Sequence, residues 1–246
     1  MNFGYFFDEA LQARRTAIAF IDLYGGRERQ QTYGELDERA TKVANALLRS
    51  RLPPGTRVLL ALPGRVEFIE AWLGCMRGGF VPVPVNPRLS PTTFAHIARD
   101  CDAIAVIGQP DDVSFLAFDA IDHPFAKRIA VGAIHPGWLD YESLLAAQDG
   151  ERPSVRIEDG AHCAIMYTSG SSGLPKGVPL THDGQMWWLN RAHELYPGHS
   201  EQRSLVAVPL FHKNAMAAAI KPRLRSGGSV AIWRSEERRV GKECRS

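Results

Sequence analysis

The chain has 246 residues, 45% hydrophobic and 23% charged, with 29 basic against 27 acidic side chains and a formal net charge of +2. At about 150 residues per domain this suggests one large domain or two small ones, and 22 glycines and 16 prolines exclude collagen-like and low-complexity chains. The near-neutral balance gives no global pull toward nucleic acid or anionic membrane, and no apolar run is long enough to span a bilayer.

The first residues, MNFGYFFDEALQARR, begin without basic side chains and meet Asp8 and Glu9 before any long apolar stretch. They do not read as a signal peptide, so the expected compartment is the cytosol. Thr16 to Asp22 reads as a strand. Thr32 and Glu35 form a capping box, and Leu36, Ala40, Val43, Ala44, Leu47 and Leu48 follow as one apolar helical stripe. Arg57 to Leu62 has strand length. A helix is predicted from Arg65 to Arg77, with Gly78 as its stop. Phe80 to Val85 contains Pro82 and Pro84, which confine it to an edge or irregular strand. Ser90-Pro91 opens a helix to about Arg99. Ala103 to Ile107 and Arg128 to Ala133 are further apolar runs, and Tyr141 to Gln148 is a short helix.

The polar connection Gln148 to Gly160 marks an expected subdomain boundary, after which the alternation resumes. Ala161 to Tyr167 reads as a strand, Thr181 to Tyr196 as a helix, and Ser204 to Pro209 as a strand. Phe211 to Arg225 reads as helical around Pro222, and Ser229 to Trp233 as a last strand. Strands alternating with helices predict an α/β fold of mainly parallel sheets flanked by helices. The expected organisation is a first α/β subdomain over 1–155 and the start of a second over 156–234. Residues 235–246 form a tail in which seven of twelve side chains are charged. That tail is either a natural solvated end or, as its mismatch with the preceding pattern favours, a non-native extension. Cys75, Cys101, Cys163 and Cys244 show neither C-x-x-C spacing nor disulfide density, so they read as reduced thiols. His162 and Cys163 are adjacent but lack a second ligand pair, and read as strand residues.

One segment stands apart, Tyr167-Thr168-Ser169-Gly170-Ser171-Ser172-Gly173-Leu174-Pro175-Lys176-Gly177. It leaves a β-run and precedes a helix. Its glycines let consecutive N–H groups converge on an anion, its hydroxyls donate to phosphate oxygens, and Lys176 adds a point charge. A flexible Gly/Ser linker explains neither Pro175-Lys176-Gly177 nor the placement. It is not a Walker A loop, which needs glycine directly before the lysine and Ser/Thr directly after.

YTSGSSGLPKGV resembles the phosphate-loop signature of the adenylate-forming superfamily, which includes acyl-CoA synthetases, luciferases and peptide-synthetase adenylation domains. TYGELDERATKVANAL at 32–47, EAWLGCMRGGFVPVPVNPRLSP at 70–91, VPLTH at 178–182 and PLFH at 209–212 are similar to further family blocks, in order. The resemblance implies the N-terminal part of the large domain of such an enzyme, truncated near Trp233. It also implies a two-step reaction. A carboxylate attacks the α-phosphate of Mg2+-ATP to give an acyl adenylate, and a thiol, usually that of coenzyme A, then takes the acyl group. By this resemblance Thr168, Ser169, Gly170, Ser171, Ser172, Gly173 and Lys176 cradle the pyrophosphate. His212 is the candidate catalytic residue bordering the acyl and adenylate sites; a satisfied structural histidine is the other reading of it. The expected partners are a small carboxylic acid, ATP and coenzyme A, with no nucleic acid or integral membrane contact.

His212, where peptide-synthetase domains usually carry aspartate, favours a plain carboxylic acid over an amino acid. The pair Trp187-Trp188 reads as core packing. The family's Tyr-Gly-x-Thr-Glu segment, with its magnesium-binding glutamate, has no counterpart here, so no metal ligand is assigned within the chain. Nor do the distal ribose-binding aspartate and the C-terminal catalytic lysine. The chain alone is therefore expected to be inactive for full turnover, and its last strand is expected to expose an unpaired edge. The alternatives are a non-catalytic nucleotide or pyrophosphate binder on the same half-fold, and a phosphotransferase that releases ADP.

Overall fold

The computed structural model describes residues 1–23, 28–109, 123–133, 135–168 and 173–233. A 3-10 turn at Phe3–Tyr5 leads into α1 (Asp8–Arg14), β1 (Ile18–Asp22) and β2 (Arg29–Thr32). The capping box then forms as expected. The Glu35 N–H donates to Thr32 Oγ1 at 3.2 Å, and Glu35 Oε2 accepts from the Thr32 N–H at 2.7 Å, starting α2 (Tyr33–Arg49). β3 (Arg57–Ala61), α3 (Val66–Arg77) and β4 (Val81–Pro84) follow. Ser90 caps α4 (Pro91–Asp100) by accepting from the Thr93 N–H, with Pro91 in the first turn where its missing N–H costs nothing. β5 (Ala103–Gly108), β6 (Lys127–Ala130), β7 (Leu139–Asp140) and α5 (Tyr141–Ala146) complete this part.

β3 to β7 make one sheet in the order β4-β3-β5-β6-β7, every pair parallel. Pro82 and Pro84 sit on its β4 edge, where a strand tolerates absent donors. A second sheet has the order β10-β11-β1-β2, from β10 (Arg203–Val206) and β11 (Ser229–Ile232). β11 runs parallel to both β10 and β1, and β1 is antiparallel to β2. This sheet draws strands from both sides of the polar connection 148–160. The expected open edge on the last strand is corrected by this pairing. β11 is flanked on both sides, its Val230, Ala231 and Ile232 are buried, and β10 and β2 form the edges.

The N-terminal turn is held by Arg77, which is wholly buried at the end of α3. Its Nε donates to Gly4 O at 2.9 Å, and its Nη1 to Asp37 O at 2.8 Å and Thr41 Oγ1 at 2.9 Å. The rings of Tyr5 and Phe7 flank the guanidinium. Buried Glu70 accepts from Arg39 and Gln31, each at 2.7 Å, and from Tyr141 at 2.9 Å, which joins α3 to α2, β2 and α5. Such carboxylates are tolerated inside because every partner is supplied. Cys75, Cys101 and Cys163 are buried and unpaired; Cys244 and the expected tail lie outside the described residues. No helix among the described residues is long and apolar enough to cross a membrane.

Candidate functional site

The Ser/Gly segment connects, in sequence, the two strands of a β-hairpin. β8 (His162–Thr168), which contains His162 and Cys163 as expected, pairs antiparallel with β9 (Lys176–Thr181). The expected passage from loop to helix is thus corrected by one strand. Val178 to Thr181 continues the ladder, and α6 (His182–Leu195) starts only after Thr181, whose Oγ1 accepts from the Gly184 N–H at 3.1 Å.

In the hairpin register Thr168 stands opposite Lys176, and Tyr167 opposite Gly177. Thr168 and Lys176 are exposed at the two stems of the tip. Gly173 is also exposed, with φ of +125°, a backbone state L side chains rarely adopt. Ser169, Gly170, Ser171 and Ser172 lie outside the described residues. The structure therefore brings Thr168 and Lys176 together, and four of the seven residues between them lie outside the described residues.

His96 and Asp100 on α4, which the sequence analysis left without a role, anchor the hairpin. His96 on α4 donates from Nε2 to Pro175 O at 3.1 Å, and the Tyr167 hydroxyl donates to Asp100 at the end of the same helix. Burial and the Asp100 carboxylate raise the pKa of the Tyr167 hydroxyl, so it stays a donor. Gly177 makes room for that tyrosine. A Cβ there would lie 3.0 Å from Tyr167 Cζ and 3.0 Å from Ile165 Cγ2. Both contacts to α4 span more than sixty positions, which no local pattern signals.

His212 follows β10 in a short turn, its N–H donating to Pro209 O at 3.1 Å. Leu210 is fully buried, Phe211 packs on the core, and His212 is exposed with its ring 4.7 Å from that of Phe211. That is not a satisfied interior histidine. Among the described residues no hydrogen bond joins it to the hairpin. The expected helix over Phe211 to Arg225 is a π-helical segment, Ala215–Ile220, continued by α7 (Lys221–Arg225) with Pro222 in its first turn. The expectation of core packing fails for Trp187, which is 68% exposed, while Trp188 is partly buried against the core. Both stand on α6, and only the second faces inward at that turn of the helix. Among the described residues no group of three or more His, Cys, Asp or Glu could hold a metal ion.

A family model described as "AMP-binding enzyme" matches residues 7–244. A feruloyl-CoA synthase from an Amycolatopsis species is 34% identical over 221 residues, covering 90% of this chain and 42% of that protein. 4-Coumarate–CoA ligase 2 of Nicotiana tabacum is 28% identical over 213 residues, covering 85% and 39%. Among solved structures, the anthranilate CoA ligase AuaEII in complex with anthranoyl-AMP superposes with a TM-score of 0.84 at 20% identity, covering 95% of this chain and 45% of that one. A benzoate CoA ligase from Burkholderia xenovorans LB400 gives a TM-score of 0.77 at 26% identity, covering 96% and 46%. The chain spans 42% and 39% of the length of these two curated relatives.

Proposed function

The chain belongs to the AMP-binding enzyme family, and on that premise we propose that it derives from an ATP-dependent carboxylic acid–CoA ligase. The observation that carries this reading is the register of the hairpin, with exposed Thr168 opposite exposed Lys176 at the base of a Ser/Gly tip. A carboxylate is a poor acyl donor until its oxygen becomes a good leaving group, which adenylation by ATP supplies; coenzyme A then takes the acyl group. Lys176 and Thr168, with Ser169, Gly170, Ser171, Ser172 and Gly173, would neutralise the charge that develops as pyrophosphate leaves. Mg2+ would enter bound to the ATP phosphates, shielding them as the α-phosphate is attacked. His212, exposed beside the half-buried Phe211, is placed by this reading at the border of the acyl site. The similarity to feruloyl-, coumarate- and benzoate-activating ligases supports a small-molecule acid, and the reaction is taken to be cytosolic.

The test is the nucleotide product and its dependence on Lys176. An acid-dependent exchange of pyrophosphate into ATP, with AMP released, is expected of the full-length protein. Lys176→Met should lower that exchange by about 100-fold while leaving the melting temperature unchanged, because the side chain is exposed. Release of ADP would replace this reading with phosphotransfer. The 246-residue chain alone is proposed to bind pyrophosphate without completing acyl-CoA synthesis, and thioester formation by it would overturn that part.

A further inference from the structure

His96 and Asp100 stand one helical turn apart on α4, a spacing that sets both side chains on one face of the helix. That face meets both stems of the hairpin. His96 Nε2 donates to Pro175 O at 3.1 Å, and Asp100 Oδ2 accepts from the Tyr167 hydroxyl. Pro175 immediately precedes Lys176 and Tyr167 immediately precedes Thr168, and Thr168 and Lys176 are opposed in the ladder. One helix face thus grips the chain next to each of the two exposed stem residues.

The grip has a rigid backing. Phe94, Ala95, Ile97 and Ala98 of α4 are buried in one core cluster with Leu59 of β3, Val83 of β4 and Val106 of β5. Ile165 and Tyr167 of β8 pack against that cluster. α4 is therefore fixed to the five-stranded sheet, and it transmits that position to the hairpin. The β8–β9 ladder places Thr168 and Lys176 relative to each other, but a two-stranded hairpin alone is marginally stable and does not place them relative to the rest of the molecule. Asp100 is exposed and His96 half-buried, so neither is a core-filling side chain. Their value lies in where they hold the stems, since a misplacement of about 1 Å from a change far from the chemistry can cost about 100-fold in rate.

We propose that His96 and Asp100 are positioning residues for the hairpin, His96 setting the reach of Lys176 through Pro175 and Asp100 that of Thr168 through Tyr167. The proposal rests on the ligase reading and adds to it two groups outside the hairpin on which its geometry depends.

The readout is acid-dependent exchange of pyrophosphate into ATP by the full-length protein. His96→Leu and Asp100→Leu should each lower kcat about tenfold while changing KM for ATP less than about threefold, because placement matters most as charge develops on the departing pyrophosphate. Conservative variants should return the rate to within about threefold of the parent: His96→Gln still offers an N–H to Pro175 O, and Asp100→Asn a carbonyl oxygen to the Tyr167 hydroxyl. Each leucine substitution should lose its effect where the group it places is gone. His96→Leu should cost less than about twofold on a Lys176→Met background, and Asp100→Leu less than about twofold on Thr168→Val. Full exchange in both leucine variants, equal losses in the conservative ones, or losses that persist undiminished on those backgrounds, as a merely weakened fold would give, would each overturn the proposal. Exchange that survives Lys176→Met would overturn the phosphate reading beneath it, and the proposal with it.

Discussion

Replacing Lys221 by methionine removes a charge from the interior while keeping an unbranched side chain of similar length. Burial is the main cause that brings the Lys221 pKa from its ordinary 10.5 down to about 8; Lys213 lowers it further, and Cys163 acts in the opposite direction. At about 1.4 kcal/mol per pH unit, the folded protein bears a cost of about 3 kcal/mol wherever both states hold the proton. Stacking on Trp188 and Phe3 returns about 1 kcal/mol, part of which a thioether against the same rings retains. Lys221→Met should therefore stabilise the chain by about 1–3 kcal/mol at pH 7.

The pH dependence gives the sharper test of that reasoning. A base whose folded-state pKa is depressed costs stability below that value. The cost is relieved as pH rises from about 8 to 10.5, where the unfolded chain still holds the proton and the folded one does not. Burial pushes the facing Cys163 thiol up to about 12, so it stays protonated across that window. Urea unfolding of both proteins at pH 7 and pH 10 should show the variant's advantage shrinking toward zero at the higher value. A variant less stable at pH 7, or an advantage that does not change with pH, would refute the argument.

Gly177→Ala should displace the Tyr167 ring and break its bond to Asp100, costing about 1–3 kcal/mol in thermal unfolding; an unchanged melting temperature would show that the ring shifts freely. Arg77→Met strips Gly4 O in the N-terminal turn and Asp37 O and Thr41 Oγ1 on α2 of their donor, and should cost about 3–5 kcal/mol in urea titration. His182 is buried and accepts the Phe3 N–H on Nδ1 at 2.9 Å, and burial, with the N-terminal ammonium second, holds its pKa down to about 4. It must stay neutral to accept that bond. Stability should fall by up to about 3 kcal/mol as pH drops from 6.5 to 4, and His182→Gln should flatten that limb of the acid titration.

The residue content of the hairpin was legible from spacing, because the phosphate site proposed for it needs hydroxyls, glycines and a lysine close enough in the chain to converge on one anion. Its mounting was not. Tyr167 meets Asp100 and Pro175 meets His96 across more than sixty positions, and a contact of that range leaves no period in the chain. β9 was also missed, since Lys176-Gly177-Val178-Pro179 puts a glycine and a proline where strand propensity is weakest. The ladder with β8 overrides that preference.

The sequence by itself determined the elements whose causes are local. Thr32 and Glu35 close a capping box within four residues, Ser90-Pro91 starts α4, and helical periodicity sets the buried face of α2, whereas α3 is buried on every side. Only the tertiary structure decided which strands share a sheet and which charges go inside. β1 pairs with β11 across roughly two hundred residues, so the last strand is interior rather than an edge. Arg77 and Lys221 look like ordinary helix-end cations in the chain, yet one is wholly buried among carbonyl and hydroxyl acceptors and two aromatic rings, and the other faces a pocket with no acidic side chain among its described lining residues. The physical reason is common to all three. Capping and amphipathic spacing act over one or two turns of backbone, whereas strand pairing and charge burial depend on surfaces that exist only after distant segments have met.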